Sequence, residues 1–168
     1  MNISLEELMA EKKLIKASDL PDIEFITTGF PEIDEIVQFP RGRIVEIFGL
    51  QSVGKTTLTM ISIAGMTKAG YKCLFIDVEN TFNKEWAVKL GVDLTKLMVS
   101  EEVILEEIVT LVKDNVDKFD VIVIDSVAAM IPRAEFEGKS GEAFMGLKAR
   151  LMNQFMRMIT GPLAKANT

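Results

Sequence analysis

The chain has 168 residues, 48% apolar and 26% charged, with a net charge of −6, a balance that suits one soluble domain with a sizeable core. Its single cysteine, Cys73, and its lack of histidine exclude an intrachain disulfide, Ser–His chemistry and His-ligated metal. No apolar run is long enough to span a bilayer and Met1-Asn2-Ile3-Ser4 opens no signal peptide, so a reducing, cytoplasmic setting without membrane contact is the default expectation.

In chain order, Ser4-Leu5-Glu6-Glu7 has the form of a capping box. Leu5, Leu8, Met9 and Lys12 continue at helical spacing, which predicts a short amphipathic helix. Residues 1–26 therefore read as that helix plus a linker broken at Pro21, ahead of a core from 27 to 168. Thr27 to Pro31 turns into a short helix through Ile33, Ile36 and Val37, and Pro40-Arg41-Gly42 turns into a strand over Arg43–Phe48. Strands are predicted again at Lys72–Asp77, Lys96–Val99 and Asp120–Asp125. Helices are predicted from Thr57, over Lys84–Leu90 with a stop at Gly91, and over Glu101–Val116. This alternation, with continuous apolar strands, predicts an α/β fold with a doubly wound, mostly parallel sheet.

Between the first core strand and its helix stands Gly49-Leu50-Gln51-Ser52-Val53-Gly54-Lys55-Thr56, followed by Thr57. Gly, four residues, then Gly-Lys-Thr between a strand and a helix is the pattern of a phosphate-binding loop. The glycines let successive N–H groups surround phosphate oxygens, and the helix aims its positive end at the same anion. Lys55 can reach the β- and γ-phosphates, and the Thr56 hydroxyl suits Mg²⁺, so the ligand is expected to be ATP with Mg²⁺. Doubly wound sheets bind at the carboxyl ends of their strands, where Asp77, Glu79 and Asp125 also fall. Asp125, after four apolar strand residues, matches the acid on the Mg²⁺ side. Glu79 has the chemistry to activate water for attack on the γ-phosphate, although a solvated loop glutamate reads the same.

Charge is unevenly placed. Residues 143–168 hold no Asp or Glu but four basic groups, while 15 basic against 25 acidic groups leave −10 on the rest. Glu135 to Met145 reads as a mobile polar loop with Gly138, Ser140 and Gly141. Beyond it, Leu147, Leu151, Phe155 and Met158 are expected to face the core. Arg150, Asn153, Gln154 and Arg157 form a second, polar stripe at i, i+3, i+4 and i+7. That stripe suits a phosphate backbone, while composition alone favours a plain solvated helix face.

Taken together, Gly49–Thr57 with Leu58-Thr59, Phe75–Glu79, Val121–Ala129 with Pro132, Glu135–Gly138 and Met145-Gly146-Leu147 resemble the bacterial RecA recombinase family. The resemblance implies a phosphate-loop NTPase of the RecA-like ATPase core type. Its activity would be DNA-dependent ATP hydrolysis, with polymerisation into helical filaments on single-stranded DNA, strand exchange and repair. Carried over by position, Lys55 and Glu79 would be catalytic, Thr56 and Asp125 would flank Mg²⁺, and Asn83 and Trp86 would face the adenine. Met145 and Gly146 would lie at the end of a first DNA loop, Met145 wedging between bases, with Arg150, Asn153 and Arg157 on the DNA side.

By the same resemblance a further apolar strand would lie between the phosphate-loop strand and the Asp125 strand. The core is therefore expected to be incomplete, with unpaired backbone groups inside the sheet. Two alternatives stand beside the recombinase: a non-hydrolysing nucleotide- or DNA-binding module, and a hexameric helicase or clock-type ATPase on the same core.

Overall fold

The computed structural model describes residues 4–11, 14–139 and 144–168; Lys12, Ser140 and Gly141 lie outside the described residues. Its centre is a three-stranded parallel sheet of β3 (Cys73–Asp77), β4 (Leu97–Ser100) and β5 (Val121–Asp125), in the order β4-β3-β5. The register runs from Cys73 opposite Val121 to Asp77 opposite Asp125, so both acidic residues reach the same sheet end. The middle strand is buried throughout, and its side chains alternate between two cores as the period of a strand requires. Leu74 and Ile76 pack among Leu105, Ile108 and Val112 of α5 (Leu105–Asn115) and Phe155, Ile159 and Leu163 of α7 (Leu147–Ala166). Cys73 and Phe75 join Met60, Ile63 and Met66 of α3 (Lys55–Lys68) and Ala87 of α4 (Lys84–Lys89). Helices on both faces of a parallel sheet make the fold doubly wound, as the alternation predicts.

Before the core come α1 (Leu5–Ala10), with both halves of the Ser4/Glu7 capping box formed, and α2 (Pro31–Asp34). A two-stranded antiparallel pair, β1 (Phe25–Ile26) with β2 (Phe39–Pro40), stands beside the main sheet. Arg41 fastens it there. The guanidinium donates to Asp120 at 3.1 Å and to the Asn167 carbonyl at 2.7 Å, and lies over the Tyr71 ring. Removing it loses two hydrogen bonds, although Asp120 is 31% exposed and keeps its bond from the Lys72 N–H at 2.9 Å, so Arg41→Ala should cost about 1 kcal/mol in urea unfolding. An unchanged midpoint would detach Arg41 from that role.

Cys73 gives a pH test of the core. Burial first, and the Asp120 carboxylate second, push its thiol from an ordinary 9.0 up to about 12. Unfolded chains would ionise above about pH 9 while folded ones stay neutral. This contribution is therefore complete below pH 9 and lost as pH rises toward 12. Cys73→Ala should lose less stability than the wild type between pH 8.5 and 11 in urea titrations; parallel losses would contradict the assignment.

Four expectations are corrected. Arg43–Phe48 joins no ladder among the described residues. A strand exists through its hydrogen-bonded neighbour, and among the described residues no strand of either sheet pairs with this segment. Ile44, Val45 and Ile47 stay exposed, and Phe48 is 85% exposed. The helix α2 ends at Asp34, short of Ile36 and Val37, which form only a closing turn onto the Ile33 carbonyl at 2.8 Å each and stay exposed, while Asp34 accepts from the Thr27 and Thr28 hydroxyls and the Thr28 N–H. Part of the expected loop is helical: α6 (Arg133–Glu137) is held by Arg133 pairing with Glu107 and with Glu137. On α7 the buried line is Phe155, Ile159 and Leu163 at steps of four, so Met158 turns outward.

Candidate active site

The loop from Gly49 to Gly54 leads directly into α3, which begins at Lys55, two residues earlier than the sequence suggests. Gly54 precedes the helix with φ 96°, a left-handed angle that side chains resist, although a Cβ there would meet nothing within 4 Å. Its requirement is thus conformational rather than spatial. Gly49 is the reverse case: a Cβ would press within 3.3 Å of Val53. Ser52 also adopts a positive φ of 62°, as residues in ligand loops often do. Leu50, Gln51, Ser52 and Val53 are all exposed, and Thr57 is half-buried behind them.

Two polar links close the site. The Lys55 ammonium donates to the Gly49 and Leu50 carbonyls at 3.2 and 2.9 Å, so the cation already lies against its own loop. The Thr56 hydroxyl donates to Asp125 Oδ2 at 2.6 Å, joining the first turn of α3 to the end of β5. A hydroxyl and a carboxylate this close are hard oxygen donors, which suits Mg²⁺. Among the described residues no cluster of three or more His, Cys, Asp or Glu could hold a metal by itself. Mg²⁺ fits that economy, since it takes one or two protein oxygens with phosphates and waters completing the shell.

The two acids after β3 separate cleanly. Asp77 is 2% exposed, and its carboxylate accepts the N–H groups of Thr81 and Phe82 at 3.1 and 2.7 Å. It folds the turn and lies buried beneath the site surface. Glu79 is exposed beyond the ladder, where its Oε1 accepts from the Ser126 hydroxyl at 2.6 Å. Ser126 was not anticipated; 47 residues separate the two, and only the parallel register of β3 with β5 brings them together. Asn83 uses its side-chain oxygen to cap α4 through the Trp86 N–H at 2.8 Å. Trp86 itself is 49% exposed, so its ring is no core tryptophan.

On α7, Arg150, Asn153, Gln154 and Arg157 are all exposed on the helix surface. Met145 is 94% exposed and precedes Gly146, whose φ of 68° turns the chain into the helix. A further link escaped the sequence: Lys148 donates to the Ala128 carbonyl, tying the start of α7 to the turn after Ser126.

A glycine loop, a helix N-terminus and a strand-end carboxylate gathered at one end of a doubly wound parallel sheet define a phosphate-loop NTPase fold. Residues 6–168 match the family model of the RecA N-terminal domain. The chain belongs to the RecA family. It is 46% identical over 163 residues to protein RecA of Rhodospirillum rubrum, covering 93% of this chain and 44% of that one. With protein RecA of Leifsonia xyli subsp. xyli it shares 48% identity over 153 residues, covering 87% and 42%. For Cytophaga hutchinsonii the figures are 45% over 170 residues, 96% and 47%. The chain thus spans less than half the length of these curated relatives. A crystal structure of the RadB recombinase shares the fold, with a TM-score of 0.62 at 21% identity, over 84% of this chain and 66% of that one.

Proposed function

We propose that this chain is the ATP-binding and ATP-cutting core of a RecA-type recombinase, working on single-stranded DNA in recombination and repair. The observation that carries the reading is the 2.6 Å link from Thr56 to Asp125, with Glu79 at the next position out along the sheet end. Loop amides and Lys55 would hold the triphosphate, Lys55 leaving its two carbonyls for the phosphates. Thr56 and Asp125 would hold Mg²⁺, which when bound supplies charge neutralisation at the β and γ oxygens. Glu79 would take a proton from water as the water oxygen bonds to the γ-phosphorus. The bond to the bridging oxygen then breaks, and ADP leaves with that electron pair. Trp86 would stack on the base, as an exposed flat ring can, with Asn83 beside it as the cap of the same helix.

On the DNA side, Met145 and Gly146 would meet bases while Arg150, Asn153 and Arg157 hold phosphates, with further copies assembling into a filament. Phosphate contacts of this kind give affinity without a base code. Each arginine lost should release one counterion fewer, so Arg150→Ala with Arg157→Ala should flatten the log–log salt slope by about 1.4. An unchanged slope in fluorescence titrations would move the DNA face elsewhere. A cytoplasmic setting is part of the proposal; no described helix is long and apolar enough to cross a membrane.

ATP turnover measured with and without single-stranded DNA tests the whole reading. Stimulated turnover is expected. Binding of nucleotide without turnover would instead support a non-hydrolysing module, the reading favoured by the exposed apolar segment Ile44–Phe48 directly before the loop.

A further inference from the structure

We propose that Ser126 is a positioning residue that aims Glu79 at the water, an assignment that rests on reading Glu79 as the group that activates it. A glutamate side chain in solvent has several rotatable bonds, and fixing it costs appreciable rotamer entropy. Glu79 is exposed, so packing does not hold it. The backbone does part of the work: the N–H groups of Val78 and Glu79 both donate to the Asp125 carbonyl, at 2.9 and 3.4 Å. They fix where the side chain starts, but not where the carboxylate goes.

The Ser126 hydroxyl supplies that second constraint. A carboxylate only accepts, so the 2.6 Å contact has the hydroxyl donating to Oε1, a short charge-assisted bond. Glu79 Oε2 is left to accept from water. Ser126 stands at the head of the helical turn Val127–Ala129, where a serine ordinarily caps the turn with its side chain. Here the side chain makes no capping bond, and the turn closes through the Ser126 carbonyl to Ala129 at 3.0 Å. The hydroxyl is therefore committed to Glu79 rather than to local folding. Ser126 also follows directly after Asp125, the carboxylate bonded to Thr56. One dipeptide thus touches both the phosphate-loop helix and the water-activating group.

The test is a mutant cycle on the full chain with ATP. Ser126→Ala should lower kcat about tenfold with KM and nucleotide affinity unchanged, because only the aim of the base is lost. Ser126→Thr, which keeps the hydroxyl, should restore kcat to within about twofold. Added to Glu79→Gln, Ser126→Ala should cost nothing more, since a residue acting only through Glu79 has nothing left to position. Crystal structures should find the Glu79 carboxylate displaced in the alanine variant and retained in the threonine one. Unchanged kcat in Ser126→Ala, no rescue by threonine, or a further loss in the double variant would overturn the assignment while leaving Glu79 in place. Full turnover in Glu79→Gln, or no turnover in the wild type, would remove the Glu79 reading and this assignment with it.

Discussion

Replacing Lys55 with alanine should weaken ATP binding about 100-fold or more while the chain stays folded. The ammonium makes two hydrogen bonds to its own loop, through the Gly49 and Leu50 carbonyls. With nucleotide present those bonds are exchanged for phosphate oxygens of full negative charge. Charge-assisted hydrogen bonds contribute about 1.5–3 kcal/mol each, and about 1.4 kcal/mol is a factor of ten in affinity. Losing two such bonds is therefore worth at least about two decades. The fold should survive, because Lys55 occupies the first turn of α3 and alanine is a better helix former there. Isothermal titration, with circular dichroism as the check on folding, reads both outcomes; retained affinity would mean the loop does not hold the phosphates.

The second large effect belongs to Glu79. Glu79→Gln keeps the size and an acceptor oxygen for Ser126 but cannot take a proton. Turnover should fall by about 10²–10⁴-fold, the usual weight of a general base, with nucleotide affinity little changed. The contrast with Lys55 is the point: one variant loses binding, the other loses only the cut. Asp77, two residues away, should behave differently again. Its carboxylate is occupied by the Thr81 and Phe82 N–H groups, so Asp77→Asn should act on folding of the turn rather than on chemistry.

Much of the site was legible in the sequence because its signals are local. Gly49 to Thr56 encodes a loop and a helix start in eight consecutive residues, and the apolar runs before Asp77 and Asp125 announce buried parallel strands. What escaped depends on pairs distant in the chain. Whether Arg43–Phe48 is a strand is decided by a ladder partner, not by its own apolar residues, and among the described residues it has none. Asp77 and Glu79 look alike as letters; the difference lies in which one meets the backbone of its own turn. Met158 and Ile159 are both apolar and adjacent, and only the packing of α7 on α5 selects Ile159 for the core. Ser126 had no signal of its own, since a serine after a strand-end acid reads as a turn residue.

The central claim is that the triphosphate lies in the loop between Gly49 and Thr56, with its terminal phosphate facing Asp125 and Glu79. A crystal soaked with magnesium and a non-hydrolysable ATP analogue tests it directly. The expected density places the β- and γ-phosphates against the loop N–H groups, with Lys55 lifted from the Gly49 and Leu50 carbonyls onto them. Phosphate density anywhere else on the chain, with Lys55 still on those carbonyls, would contradict it.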